Sequence, residues 1–213
     1  MINFCYTRIE QQMVRRKNMT EQSVEKEFKC LLSEKAYQEG LKLWMTGLSP
    51  IYLQNVYYDW QGILSQADKA LRIRMVNQEI AELTLKESLG PNEKRETTLP
   101  LDAQEAKAII DKKQLRLPSE LRQYLHQQGI DLAELQEKVS FTTCRYEKEC
   151  PEALIVLDEV HYSNGARDLE LECEVNDLIK GKAYFQHLLK DLDTDYQAAP
   201  NKLARAIHYK AKN

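Results

Sequence analysis

The chain has 213 residues, of which 43% are hydrophobic, and it contains only seven glycines and six prolines. This length and composition fit one globular domain with a buried core, with or without a small helical appendage. Charged residues make up 30% of the chain, yet the formal net charge is only −3. A uniformly basic surface for nucleic acid is therefore excluded, and any electrostatic function must be local.

Neither the cysteines nor the hydrophobic segments indicate a secreted or membrane protein. The five cysteines are odd in number and lack C-x-x-C spacing, which argues against a disulfide framework and a structural zinc site. No apolar segment approaches the roughly 20 residues that span a bilayer, and the N-terminus lacks the apolar core of a signal peptide. We therefore expect a protein of the reducing cytoplasm with no membrane partner.

The first 19 residues differ in charge from the rest of the chain. They carry four basic side chains against one acid, Glu10, and show no periodicity. Two interpretations stay open, a basic and disordered arm or a translation start at Met19, and we favour the second. We assign residues 1–19 as a basic N-terminal extension and residues 20–213 as a single domain.

The first half of the chain has the patterns of several strands and one helix. From Ser23 onward charged and apolar residues alternate, which predicts a strand, and Ser33 is well placed to cap the helix that follows. The spacing of apolar residues then predicts a helix at 33–45 and strands at 50–59, 70–77, 79–87 and 94–99.

In the middle of the chain the residue pattern predicts helices. Asp102 and Pro118 are typical helix starts and Gly129 is a typical helix stop. We therefore predict a helical insertion over about 102–137, with helices at 103–113 and 118–128 and a further turn at 131–136.

The last third of the chain returns to strands and ends in helices. Asn164-Gly165 is a strong hairpin signal between two of these strands. The predicted elements are strands at 139–149, 153–163 and 167–175 and helices at 178–192 and 201–212. About eight strands without regular βα alternation favour an antiparallel barrel or sandwich in the α+β class.

Several predicted strands carry charged residues at alternate positions. Because a half-buried antiparallel strand normally turns its charged face to water, this pattern by itself predicts only solvated faces. The charged sets are Glu25, Glu27 and Lys29; Arg72 and Arg74; Lys86; Arg145; and Glu170, Glu172 and Glu174.

The segment Glu25-Lys26-Glu27-Phe28-Lys29 has the E-x-E-x-K pattern of the CYTH, or triphosphate tunnel, family. The rest of the chain resembles that family, in the expected order, over about residues 23–212. The further matching positions are Arg72, Arg74, Lys86, Glu96, Arg145, Asp158, Glu170, Glu172 and Lys202. The resemblance is greatest to bacterial stand-alone members, and it implies a closed eight-stranded antiparallel barrel with inward charges, a helical insertion and flanking C-terminal helices.

The resemblance also implies roles for these charges. Lys29, Arg72, Arg74, Lys86 and Arg145 would bind phosphate oxygens and act in catalysis, and Lys202 would add a further substrate contact. The implied ligands of Mg²⁺ or Mn²⁺ are Glu25, Glu27, Glu96, Asp158, Glu170 and Glu172. Glu174 is placed either on the same inward face or at the rim. Because six cations and six anions cancel in the empty tunnel, we expect metal and triphosphate to bind together.

The leading hypothesis is a metal-dependent triphosphatase that acts on inorganic triphosphate or on a nucleoside or thiamine triphosphate. An adenylyl cyclase that converts ATP to cyclic AMP is the alternative, followed by a non-catalytic binder of polyphosphate or nucleotides and by a scaffold with a solvated charged face. Tyr57, Tyr58, Trp60 and Tyr162 are interpreted as core residues in preference to the alternative, aromatic groups that stack on an organic moiety at a tunnel mouth. The sequence leaves the substrate, the oligomeric state and any general base open.

Overall fold

The structure, a computed structural model, describes residues 21–130 and 135–211, so the predicted extension 1–19 lies outside the described residues. The strands are β1 Glu21–Leu31, β2 Ile51–Asp59, β3 Lys69–Val76, β4 Ile80–Gly90, β5 Glu93–Leu101, β6 Gln114–Leu115, β7 Leu135–Glu149, β8 Leu154–Tyr162 and β9 Arg167–Glu174. The helices are α1 Glu34–Trp44, α2 Ile63–Gln66, α3 Ala103–Lys112, α4 Ser119–Gln127, α5 Leu178–Asp191 and α6 Lys202–Lys210.

Eight strands close into an antiparallel barrel. Their order is β2-β3-β4-β5-β1-β9-β8-β7, and β7 pairs back with β2, while β6 pairs only with β7 on the outside. Closure leaves the barrel without an unpaired edge. The predicted α+β class and the closed eight-stranded barrel are therefore confirmed.

The outer face of the barrel is apolar and lies under the helices. One cluster includes Leu83 and Leu85 of β4 and Leu121 and Leu125 of α4, all at most 2% exposed. A second cluster lies between β1, β8 and β9 and the helices α1 and α5, and in it Phe28 stacks on Phe185 with ring centroids 5.7 Å apart. Burial of each large apolar side chain stabilises the fold by about 1.5–3 kcal/mol, so the hydrophobic core of this barrel lies around it.

Side-chain caps fix where three helices begin. The Ser33 hydroxyl accepts from the backbone N–H of Ala36, and the Asp102 carboxylate caps α3. Asn201 Oδ1 accepts from the N–H of Ala204 at 2.7 Å, which starts α6 at Lys202. In the described part of the chain, no helix combines the length and apolar character that crossing a bilayer requires.

The structure differs from the predicted elements at several places. Strand β7 begins at Leu135 instead of 139, because its polar first residues pair with the end of β2 where the barrel closes. Residues 135 and 136 of the predicted turn are thus in a strand, and residues 131–134 lie outside the described part. The short elements α2 and β6 were not predicted, and β5 continues through Pro100, which lies near the strand end where a missing N–H is tolerated.

Gly181 permits the close approach of α5 to the residues that follow β9. A Cβ at this position would lie 2.6 Å from Cγ2 of Val175 and 2.7 Å from its Cγ1. Replacing glycine with alanine normally stabilises a helix by about 1 kcal/mol, but the overlap with Val175 should make this replacement destabilising. We expect Gly181→Ala to lower the free energy of unfolding by about 1–3 kcal/mol in urea titration. The Val175→Gly variant, which removes the whole contacting side chain, combined with Gly181→Ala should be more stable than the two single changes summed, and simple additivity would contradict the contact.

Candidate functional site

The barrel encloses a cavity of about 790 Å³ with a largely charged lining. Ten of the twelve predicted site residues line it: Glu25, Glu27, Lys29, Arg72, Arg74, Lys86, Glu96, Arg145, Glu172 and Lys202. The remaining two, Asp158 and Glu170, are fully buried behind the lining. The charged strand faces therefore point inward, as the resemblance implied and against the pattern expected of ordinary antiparallel strands.

Strand register brings opposite charges together inside the barrel. Lys29 lies directly across from Glu172, and Lys86 lies directly across from Glu96. Directly opposed side chains on one face of a sheet are within contact distance. Alternation along each strand and antiparallel pairing between strands thus suffice to assemble the site from distant parts of the chain.

Two cations and three carboxylates form a buried network where β7, β8, β9 and α6 meet. The Arg145 guanidinium donates to Asp158 at 2.8 and 2.6 Å and to Glu172 at 2.7 Å. The Lys202 ammonium lies 2.9 Å from Asp158, 3.1 Å from Glu170 and 2.6 Å from Glu172. Burial alone would raise the pKa of Glu172, but Lys202 and Arg145 outweigh it and hold that pKa well below its usual value.

A second set of ion pairs joins β1 to β4 and β5. The Lys86 ammonium donates to Glu25 at 3.2 Å and also contacts Glu96. Lys29 lies 3.0 Å from Glu27, which Lys94 contacts as well. Burial opposes ionisation of Glu96, yet the charge of Lys86 lowers its pKa to about 2. Glu96 is therefore ionised and paired with Lys86 at neutral pH.

Arg72 and Arg74, on neighbouring inward positions of β3, form what we call the arginine side of the cavity. Both lie near one carboxylate, Glu82, with closest N–O distances of 3.5 and 4.0 Å, and Arg74 Nε donates to Asn55 Oδ1 at 3.0 Å. The pKa of Arg74 is lowered by burial and then by the positive charges of Arg72 and Arg145. Cations that repel one another in a buried space favour binding of an anion.

Glu25 and Glu27 of β1 with Glu172 and Glu174 of β9 form the acidic side. Glu27 and Glu174 are directly opposed across the two strands, and Glu174 lines the cavity. Burial and then the charge of Glu25 raise the pKa of Glu174 to about 8, with a further contribution from Glu172. Carboxylates crowded in this way are stabilised by a cation.

The donor set of the acidic side fits a hard divalent cation, because every candidate ligand is a carboxylate oxygen. Within residues 21–130 and 135–211, however, no three His, Cys, Asp or Glu side chains form a group that could hold a metal ion. The acidic side chains are instead held by lysines and arginines of the cavity. Metal binding at this site would therefore require ion pairs to exchange partners.

Several charged residues of the site lie outside the predicted set. Glu82, Lys94 and Glu147 line the cavity, and each lies two or four positions from a predicted residue on the same strand face. Arg205 lies one helical turn after Lys202 and contacts both Glu170 and Asp168, the latter at 2.8 Å. Strand alternation and helical spacing were the signals that could have found them.

The chain is similar in sequence to a known domain family and to a protein of that kind. The model of the CYTH domain family matches residues 23–207. A protein of Bacillus subtilis (strain 168) named "Putative triphosphatase YjbK" is 31% identical over 195 residues, which cover 90% of this chain and 98% of that protein.

Two solved structures share the fold over nearly their whole length. The crystal structure of a protein from Bacillus halodurans, described as a "putative adenylate cyclase", is 25% identical with a TM-score of 0.74, covering 86% of this chain and 97% of that one. A protein from Hippeastrum, described as a "Putative adenylyl cyclase" with a dominant triphosphatase activity, is 22% identical with a TM-score of 0.70, covering 88% and 95%. At that identity the second likeness shows the fold alone.

Asp158 is the buried carboxylate that Arg145 and Lys202 share. Replacing it with asparagine removes the negative charge and leaves both cations less well compensated, so we expect Asp158→Asn to lower the free energy of unfolding by about 3 kcal/mol or more. Denaturant titration measures this loss. Glu159→Gln is the matched control, since Glu159 pairs with partly exposed Arg167 on the outer face, and its effect should stay within about 1 kcal/mol. Equal effects of the two variants would refute the stabilising role of Asp158.

Proposed function

Because the chain belongs to the CYTH domain family, we propose that it hydrolyses a triphosphate-containing substrate inside the barrel with the help of Mg²⁺ or Mn²⁺. The substrate would be inorganic triphosphate or a nucleoside or thiamine triphosphate. The observation that carries the proposal is the charge pattern of the cavity, in which an arginine side and an acidic side are formed by different strands of the same closed barrel.

The arginine side has the chemistry to bind the phosphate chain. A triphosphate carries about four negative charges near neutral pH, and guanidinium groups match its oxygens with paired N–H donors. Arg72 and Arg74 share one carboxylate, Glu82, at N–O distances of 3.5 and 4.0 Å. Binding of an anion would therefore reduce the repulsion between the two guanidinium groups. Lys29, Lys86 and Arg145 would complete the phosphate contacts, and Lys202 would add one from α6.

The acidic side has the chemistry to hold the metal ion. We propose Glu25, Glu27, Glu172 and Glu174 as the carboxylates nearest to it, with Glu96 as a further ligand. When bound, the ion would polarise a phosphoryl oxygen and a water molecule. Asp158 and Glu170 lie behind the lining, and we propose that they hold Arg145, Lys202 and Arg205 in position instead of touching the ion.

In the proposed reaction a water molecule attacks the terminal phosphorus and the bond to the bridging oxygen of the next phosphate breaks. The products are orthophosphate and the remaining diphosphate chain. Negative charge in the transition state spreads over the oxygens of the transferred group and the leaving oxygen. Fixed guanidinium groups in a buried cavity stabilise that charge without reorganisation, which is the role we propose for Arg72, Arg74 and Arg145.

The names of the relatives support this reaction and leave one competitor. The Bacillus subtilis relative is named a triphosphatase, whereas the Bacillus halodurans neighbour is named an adenylate cyclase. In a cyclase the ribose hydroxyl of ATP would attack the α-phosphorus and release pyrophosphate. Chromatography of the ATP products separates the two reactions, because only a cyclase yields cyclic AMP.

We also propose that the protein works in the cytoplasm. Cys30, Cys144, Cys150 and Cys173 are free cysteines in the structure. Unpaired thiols are typical of proteins in a reducing compartment, which supports this location.

Phosphate release from tripolyphosphate, ATP and thiamine triphosphate, each with Mg²⁺ or Mn²⁺, tests the proposed activity. We expect turnover of at least one substrate and a decrease in kcat/KM of about a hundredfold or more for Arg74→Met, because one donor to developing charge contributes that much. Arg95→Met is the control, since Arg95 lies 4.0 Å from Glu87 and does not line the cavity. No turnover with any of these substrates would reject the proposal.

Metal and triphosphate should bind cooperatively, because a divalent cation and a polyanion stabilise one another electrostatically inside a buried cavity. We expect Mg²⁺ to tighten the binding of tripolyphosphate by at least about tenfold, which corresponds to a coupling within the usual range of about 1–3 kcal/mol. Titration calorimetry with and without Mg²⁺ measures the coupling, and EDTA should abolish turnover. An affinity that does not change with Mg²⁺ would count against the proposed metal site.

A further inference from the structure

Tyr57 presents its hydroxyl to the cavity beside the arginine side. The residue lies on β2, lines the cavity and is only 7% exposed. Its directly opposed neighbour on β3 is Arg72. Its ring stacks on that of Phe141 with centroids 5.8 Å apart. Stacking on Phe141 and the strand register opposite Arg72 therefore fix the position of the Tyr57 side chain.

The Tyr57 hydroxyl lacks a hydrogen-bond partner, unlike the hydroxyls of two other tyrosines in the described part of the chain. The Tyr162 hydroxyl donates to Asp168 at 2.8 Å, and that of Tyr124 donates to Glu87 at 2.7 Å. Among the described residues, no hydrogen bond engages the hydroxyl of Tyr57. On neighbouring Arg72, the buried Nε also lacks a hydrogen-bond partner. The Arg72 Nε–H is thus a buried donor without an acceptor, which is rare in folded proteins, and the Tyr57 hydroxyl beside it is a donor that faces the cavity.

The charges around this hydroxyl show which kind of ligand would satisfy it. Burial raises the pKa of Tyr57, but Arg72, Lys86 and Arg74 outweigh burial, and the pKa lies below its ordinary value. A phenol surrounded by cations can hydrogen-bond well to an anion that the same cations attract. Phosphate oxygens only accept hydrogen bonds, so they suit both this hydroxyl and the free N–H of Arg72.

We propose that Tyr57 is a substrate-binding residue whose hydroxyl donates a hydrogen bond to a phosphate oxygen beside the Arg72 guanidinium. The inference rests on the proposed function and extends its set of phosphate contacts. A neutral donor has a physical advantage at this point, because it adds a hydrogen bond without adding charge. Another lysine or arginine would add to the repulsion that, after burial, lowers the pKa of Arg74.

Tyr57→Phe tests the proposal, because it removes one oxygen and keeps the ring that stacks on Phe141. We expect the Kd for tripolyphosphate in the presence of Mg²⁺ to rise by about tenfold to a hundredfold, the usual loss for a hydrogen bond to a charged group. The ratio kcat/KM should fall by a similar factor. The melting temperature without ligand should stay within about 3 °C, whereas the increase that tripolyphosphate produces should shrink.

Tyr58→Phe is the matched control on the adjacent position. The Tyr58 hydroxyl is also buried without a hydrogen-bond partner, but the residue belongs to the apolar cluster outside the barrel and does not line the cavity. Its removal should leave the Kd and kcat/KM unchanged. Loss of affinity in Tyr57→Phe alone supports the proposal, and equal affinities of the wild type and both variants would overturn it.

The same measurements separate this inference from the proposed function. If the wild type binds tripolyphosphate but releases no phosphate from any substrate, the hydrolase proposal fails while the Kd values still decide the role of Tyr57. If the wild type turns over a substrate and Tyr57→Phe has the same kinetic constants, the hydrolase proposal stands and the role of Tyr57 is refuted. If tripolyphosphate does not bind to the wild type, both proposals fail.

Discussion

Mutual compensation of buried charges is the constraint on which this structure depends. A carboxylate or guanidinium moved from water into a protein loses several kcal/mol of solvation, which only close and well-oriented opposite charges recover. The cavity meets this condition with the short contacts of Arg145 and Lys202 to Asp158, Glu170 and Glu172. Because these partners come from β7, β8, β9 and α6, the charges can compensate one another only when those four elements are assembled.

The apolar outer face provides the stability that such an interior cannot. Ion pairs buried in place of hydrophobic contacts often contribute little net stability, so the folding free energy must come from elsewhere. In this chain it comes from the clusters between the barrel and its helices, where Leu71 and Ile73 of β3 are fully buried on the face opposite Arg72 and Arg74. The insertion and the C-terminal helices are thus required by the polar interior, because without them the apolar strand faces would lie in water.

Sequence patterns predicted the elements well and the direction of their faces poorly. Alternation identifies the two faces of β1, but it does not say whether Glu25 and Glu27 point to solvent or into a barrel, and the E-x-E-x-K resemblance supplied that choice. Charged residues outside the motif were not predicted for this reason. Lys94 is one example, because its ion pair with Glu27 belongs to the site only if Glu27 points into the barrel. The early start of β7 was missed because Gln136 and Lys138 are polar, and only the closing pairs with β2 make them part of a strand.

The pairing of charges in the cavity also determines what binding must do. Strong ion pairs satisfy most of the predicted ligands, so a metal ion or a phosphate must displace a lysine or arginine from a carboxylate before it binds. The arginine side is the exception, since Arg74 has a long contact to Glu82 and its pKa is lowered by burial and then by its cationic neighbours. An anion would therefore enter most favourably at this side, where little existing stabilisation is lost. Once it has drawn lysines away from the acidic side, the carboxylates left behind would repel one another more strongly, and that repulsion favours binding of the divalent cation as the next step.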